Sequence, residues 1–121
     1  MTPVVPQSLI RSIVATYAPR RIVLFGSHAR HTADEDSDLD LLVVLDDDVA
    51  RDALSWRKRY DARRGYPGAV DIVPCREHVL TERARIAGSF ADTIMKEGIV
   101  VYERGSASPA TAMDRSTAVV C

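Results

Sequence analysis

The segment "LFGSHARHTADEDSDLDLLVVL", residues 24–45, places two aspartates inside the pattern of an apolar strand. Asp38 and Asp40 alternate with leucines, and in a β-strand residues two apart project from the same face. Carboxylates at the edge of a core are costly without compensation, and two held side by side repel each other. A cation between them would relieve both costs, so the pattern predicts a metal site.

Two other interpretations of this acidic segment are weaker. A solvated acidic loop suits residues 34–36, but not two acids embedded in an apolar alternation. A calcium-binding EF-hand loop beginning at Asp34 would need glycine at its sixth position and glutamate at its twelfth. The chain has Leu39 and Leu45 there, so we exclude the calcium loop.

Gly26 and Ser27 lie in the same segment, about ten residues before Asp38, and follow a continuous apolar run, which predicts a strand buried on both faces. Glycine lets a backbone approach a ligand closely, and amide groups that open a helix bind phosphate. Phosphate and carboxylate oxygens together are ligands that magnesium prefers. The combination predicts metal-assisted phosphoryl or nucleotidyl transfer, without deciding which phosphorus is attacked.

Asp71, in the apolar stretch "AVDIV", supplies a third carboxylate if its strand pairs beside the segment of Asp38 and Asp40. Three carboxylates can bridge two magnesium ions about 3.5–4 Å apart. The alternative is that Asp71 is a turn or cap residue at the start of its strand.

The remaining sequence predicts a small α/β (α+β) domain, with a mixed β-sheet and helices packed mainly on one face. We expect one domain at residues 1–104 and a disordered tail at 105–121, which is small and polar. The predicted elements are a helix at 7–17, strands at 22–25 and 38–45, a helix at 49–64 capped by Asp48, a strand at 69–73 ending at Pro74, a helix or helix pair at 78–97 with a break at Gly88–Ser89, and a strand at 98–104.

Composition limits the classes of function. The net charge of −1 provides no global basic field for non-specific nucleic-acid binding. No apolar run reaches the roughly 18 residues of a membrane span, and the N-terminus lacks the pattern of a signal peptide. We therefore expect a cytoplasmic protein whose two cysteines, Cys75 and Cys121, are free thiols, with Cys75 packed as a small apolar residue.

Two further groups of residues have a simple structural interpretation. The basic segment at residues 51–64 could dock an acidic partner or RNA, but a solvated helix face is the simpler interpretation. Trp56 and Tyr60 fall on its apolar stripe and are expected in the core. His28 and His31 lack the nearby soft ligands that zinc would need, although His28 could contact a bound triphosphate.

Taken together, "GSHAR", "SDLDLLVV" and "VDIV" resemble the nucleotidyltransferase superfamily that includes DNA polymerase β, and most of all its minimal nucleotidyltransferases. The resemblance implies a polymerase β-like fold and attack of an acceptor hydroxyl on the α-phosphate of a nucleoside triphosphate, with ATP expected. It implies that Asp38, Asp40 and Asp71 hold two Mg²⁺ ions and that Asp71 also helps to deprotonate the hydroxyl. It further implies that Gly26, Ser27 and Arg30 bind the phosphates. Arg30 could equally be a surface arginine.

The resemblance also implies a partner. Larger relatives carry an extra domain for the acceptor, so we expect a partner chain or a second copy to supply that site here. Minimal nucleotidyltransferases often act as antitoxins to HEPN-type ribonucleases, and some transfer AMP to the toxin. A non-catalytic antitoxin that acts by occlusion and a small-molecule nucleotidyltransferase remain alternatives. We expect neither a membrane nor a nucleic-acid template as a partner.

Overall fold

The computed structural model describes residues 5–26, 29 and 38–105. Ser27, His28, Arg30, His31 and residues 106–121 of the predicted tail lie outside these residues. The described elements are α1 (Gln7–Tyr17), β1 (Arg21–Phe25), β2 (Leu39–Leu45), a 3₁₀ helix (Arg51–Leu54), α2 (Trp56–Arg63), β3 (Val70–Arg76), α3 (Glu77–Ala84), α4 (Phe90–Glu97) and β4 (Ile99–Glu103).

The four described strands form one mixed sheet in the order β3-β2-β1-β4. The central strand β1 is antiparallel to both β2 and β4, whereas β2 and β3 are parallel. A parallel pair needs a crossover connection, and the 3₁₀ helix and α2 provide it. The predicted mixed α/β class is confirmed.

The prediction placed the helices mainly on one face of the sheet, and the larger core does lie on one face. There Leu24 and Leu41 pack with α1 and with Ala62 of α2. A smaller cluster lies on the opposite face, where Val23 and Leu42 pack with α3 and α4. Two α-helices therefore cover each face, which explains why β1 and β2 are apolar at almost every position.

Prolines and glycines set several helix ends as predicted. Helix α1 begins directly after Pro6 and ends before Pro19, with Ala18 in the left-handed region at φ 48°. The predicted break between α3 and α4 is confirmed, because Gly88 adopts φ 80° and the Ser89 hydroxyl accepts a hydrogen bond from the Asp92 amide at 3.1 Å.

The prediction for residues 49–64 was wrong in two respects. Ser55, not Asp48, caps α2, and the preceding turn is a 3₁₀ helix. This interruption changes the phase of the apolar stripe, so Trp56 and Tyr60 do not reach the core. Their exposed fractions are 73% and 55%, and α2 packs through Ala62 instead.

Strand β3 also differs from its predicted end, because it continues through Pro74 to Arg76. Proline cannot donate to a ladder, but an edge strand has one side free of ladder partners, and β3 is an edge strand. Among the described residues, no helix combines the length and apolarity needed to cross a membrane.

Candidate active site

Asp40 and Asp71 lie directly opposite each other on the parallel strands β2 and β3. Registered partners project from the same face, which here is the face covered by α3 and α4. Asp40 is half-buried and Asp71 is exposed. The predicted pairing of the two strands thus brings these two carboxylates together at one end of the sheet.

Gly26 completes this corner from the neighbouring strand. Phe25, at the end of β1, is the registered partner of Asp40, and Gly26 follows it with φ +79°. A Cβ atom at Gly26 would lie 3.1 Å from the Asp40 Cγ and closer still to a carboxylate oxygen. Only glycine accommodates both the left-handed backbone and the adjacent carboxylate.

A cleft of about 390 Å³ opens at this corner. Both aspartates line this cleft, and α4 contributes residues to it. The lining residues are Phe25, Gly26, Asp40, Asp71, Phe90, Thr93, Ile94 and Glu97.

Sequence analysis missed Thr93 and Glu97 as cleft residues. The segment 78–97 was predicted to be helical, but its rotation about its own axis was not fixed. An acid at the last position of α4, following an apolar stripe three and four residues apart, is the signal that could have suggested Glu97.

Asp38 is exposed where the described chain resumes, two positions before Asp40, and it does not line the cleft. Within residues 5–26, 29 and 38–105, no three or more His, Cys, Asp or Glu side chains form a cluster that could hold a metal ion. The structure therefore unites Asp40, Asp71 and Gly26, without placing Asp38 beside them. The carboxylate oxygens of Asp40 and Asp71 still suit a hard cation such as Mg²⁺.

A second, more apolar cleft of about 350 Å³ adjoins the first and shares Phe90 and Ile94 with it. The Phe90 ring packs edge-to-face on Phe25, with centroids 5.4 Å apart. Cys75 lines this second cleft and packs against the smaller core cluster, which confirms its predicted apolar role. Burial raises the pKa of its thiol.

The acids beyond the other end of β2 have structural partners. Asp46 accepts hydrogen bonds from Arg20 at 3.1 Å and from Arg104 at 3.0 and 3.2 Å. The hydrogen bond from Arg104, above all, lowers the pKa of Asp46. Asp47 accepts the His78 backbone N–H at 2.8 Å, which lowers its pKa as well. Asp46 and Asp47 therefore connect the end of β2 to neighbouring segments of the fold.

Comparisons with known proteins agree with this fold. A profile of the nucleotidyltransferase domain matches residues 8–101. A Sulfolobus solfataricus protein assigned as a nucleotidyltransferase superimposes with a TM-score of 0.53 at 20% identity, covering 81% of this chain and 77% of that one. A toxin–antitoxin structure with AMP-PNP also gives 0.53 at 20% identity, covering 82% and 74%. No curated protein matches the sequence.

Proposed function

The chain belongs to the nucleotidyltransferase domain family, and from this premise we propose that it transfers AMP from ATP to a hydroxyl group of a partner protein. The observation that carries the proposal is the registered pair Asp40 and Asp71, which lines the cleft beside Gly26. Two carboxylates on adjacent strands next to a glycine without room for a side chain provide places for a cation and for phosphate.

In this proposal Asp38, Asp40 and Asp71 hold two Mg²⁺ ions, which when bound neutralise charge on the triphosphate and on the attacking oxygen. The backbone at Gly26 and Ser27 binds the β- and γ-phosphates, and Arg30 offsets their negative charge. The side chains of Phe25 and Phe90 limit the access of water on the apolar side of the cleft.

The proposed reaction is a displacement at the α-phosphorus. The acceptor oxygen forms a bond to that phosphorus, and the bond from the phosphorus to the oxygen bridging to the β-phosphate breaks. Pyrophosphate leaves with that oxygen. Asp71 takes the proton of the hydroxyl, a role that its exposed position suits because an acceptor can reach it from outside.

The proposed acceptor is a HEPN-type ribonuclease toxin, for which this chain would be the antitoxin. The similar toxin–antitoxin structure with AMP-PNP supports both a protein partner and an adenine nucleotide. The proposal includes action in the cytoplasm.

The test is incubation of the chain with α-labelled ATP, Mg²⁺ and the candidate toxin. We expect label on the toxin, and we expect Asp71→Asn to lower labelling by at least about 100-fold, as does loss of a catalytic general base. Asp40→Asn should lower labelling as well, because it removes a proposed ligand of the metal ions. Asp48→Asn is the matched control, because Asp48 is an exposed acid beyond the opposite end of β2. Labelling that survives in the Asp40→Asn, Asp71→Asn double variant would refute the mechanism.

A second candidate is a non-catalytic antitoxin that neutralises the toxin by occlusion. One observation favours it: in the described part of the chain, Asp38 does not join Asp40 and Asp71 in the cleft. Occlusion predicts that the double asparagine variant still protects cells that express the toxin. Catalytic neutralisation predicts that the same variant fails to protect them while still binding the toxin.

A further inference from the structure

Helix α2 exposes two large aromatic side chains. Trp56 and Tyr60 are 73% and 55% exposed, and they lie four residues apart, so they share one face of the helix. Exposure of single apolar residues is ordinary, but an adjacent tryptophan and tyrosine form a patch that usually has a function.

The same helix concentrates positive charge. From Trp56 to Arg64 there are five cationic residues and one acid, a local net charge of +4 in a chain whose net charge is −1. The cations are Arg57, Lys58, Arg59, Arg63 and Arg64. The remaining residues therefore carry a net charge of −5.

Two of these cations are organised around the aromatic rings. The Arg57 guanidinium lies 5.9 Å from the Trp56 ring centroid, and that of Arg64 lies 5.9 Å from the Tyr60 centroid. Tryptophan, tyrosine and arginine are the residue types that dominate binding energy at protein interfaces. We call Trp56, Arg57, Arg59, Tyr60 and Arg64 the α2 patch.

The shape of the α2 patch favours a protein over RNA. Non-specific binders of single-stranded RNA track the backbone along a basic groove, whereas this patch is one face of an eight-residue helix. Asp61 lies within the helix and pairs with Arg64 at 3.3 Å, so an acid interrupts the cations. An acidic surface with an apolar centre complements both the charge and the exposed rings.

The α2 patch is also separate from the cleft. Ala62 anchors α2 on the sheet face that carries Leu24 and Leu41, and the cleft opens on the face of α3 and α4. A partner held on α2 would therefore leave the cleft open to nucleotide.

We propose that the α2 patch is a docking surface for a partner protein that presents an acidic surface with apolar side chains at its centre. This inference rests on the patch alone and not on the proposed function. A chain held in this way keeps its partner bound whether or not the cleft is occupied.

Trp56 provides the assay, because it is the only tryptophan in the chain. The full chain is titrated with a random glutamate–leucine copolymer, with polyglutamate and with poly(U), at equal charge concentration and with selective excitation of tryptophan. We expect the glutamate–leucine copolymer to shift the emission to shorter wavelength and to protect Trp56 from acrylamide. Polyglutamate and poly(U) should do so only at concentrations at least about tenfold higher.

Charge-reversal variants test the surface. Arg57→Glu with Arg59→Glu should weaken the effect of the glutamate–leucine copolymer by roughly tenfold or more. Arg83→Glu with Arg85→Glu, the same change of charge near the end of α3 on the other sheet face, should leave it within about twofold. Asp40→Asn should also leave the effect of the glutamate–leucine copolymer unchanged. Failure of the docking proposal can therefore be told apart from failure of the proposed function.

Three results would overturn the proposal. Protection of Trp56 by poly(U) at concentrations equal to or below those of the glutamate–leucine copolymer would make the patch a nucleic-acid surface. Emission that shifts with protein concentration alone would make it a contact between two copies. Equal loss of the copolymer effect in both charge-reversal pairs would show that only net charge matters.

Discussion

Gly26→Ala tests how closely the turn after β1 approaches the candidate site. Alanine at φ +79° costs about 1–2 kcal/mol, because its Cβ opposes the left-handed backbone. The added Cβ would also lie 3.1 Å from the Asp40 Cγ, so that carboxylate must turn away, at about 0.5–1.5 kcal/mol. We expect the free energy of unfolding to fall by about 1.5–3.5 kcal/mol.

Gly65→Ala is the matched control for this experiment. Gly65 has φ +89°, and nothing lies within 4 Å of a Cβ built there, so the backbone cost is the same and the contact with Asp40 is absent. Urea unfolding followed by circular dichroism should show Gly26→Ala to be the more destabilised by about 0.5–1.5 kcal/mol. In an Asp40→Ala background that difference should vanish. Equal destabilisation of the two alanine variants in the wild-type background would refute the close approach.

Two further predictions concern ionisable groups. In the described part of the chain, the buried Tyr17 hydroxyl has no hydrogen-bond partner, and burial raises the pKa of Tyr17 to about 12. The unfolded state therefore loses this proton at a lower pH than the folded state, and the free energy of unfolding falls as pH rises from about 10 to 12. Tyr17→Phe should be as stable as the wild type at neutral pH and should lose less stability over that alkaline range, as measured by urea unfolding. For Asp46, hydrogen bonds from Arg104 and Arg20 lower the pKa, so its contribution is present above the ordinary value of 3.8 and is lost as pH falls through the lowered value. Asp46→Asn should be less stable than the wild type at neutral pH and should show a shallower acid loss, and an identical pH profile for both proteins would contradict this role.

Most strands and helices could be predicted from local sequence signals, which do not depend on tertiary contacts. Alternation around Asp40 predicts which face its side chain takes, and Pro19 and Gly88 mark chain breaks whatever they pack against. One error arose where tertiary context decides, and the other came from a local helix cap that the sequence prediction overlooked. Pro74 is compatible with a strand only because that strand is at an edge, and Trp56 leaves the core because Ser55 restarts the helix in a new phase.

For the candidate site, too, part could be predicted from the sequence and part depended on how the helices pack. The pairing of Asp71 with Asp40 could be expected from two apolar strands that each carry an acid, and the parallel register meets that expectation. The contribution of α4 could not be expected, because Thr93 and Glu97 enter the cleft only through the packing of Phe90 and Ile94. The functional roles of Asp40, Asp71 and Gly26 remain predictions, as do those of Asp38, Ser27 and Arg30.

The crossover between β2 and β3 has a consequence for folding. Asp40 and Asp71 become neighbours only after the chain has laid the 3₁₀ helix and α2 across one face of the sheet and returned beside β2. Contacts so distant in sequence form slowly, because a large loop must close before they contribute. A chain that has formed only its β1–β2 pair would contain Gly26 and Asp40 but would lack Asp71, one of the three proposed cation ligands. On the proposed function, nucleotide retention during refolding would therefore report completion of the β2–β3 pairing rather than collapse.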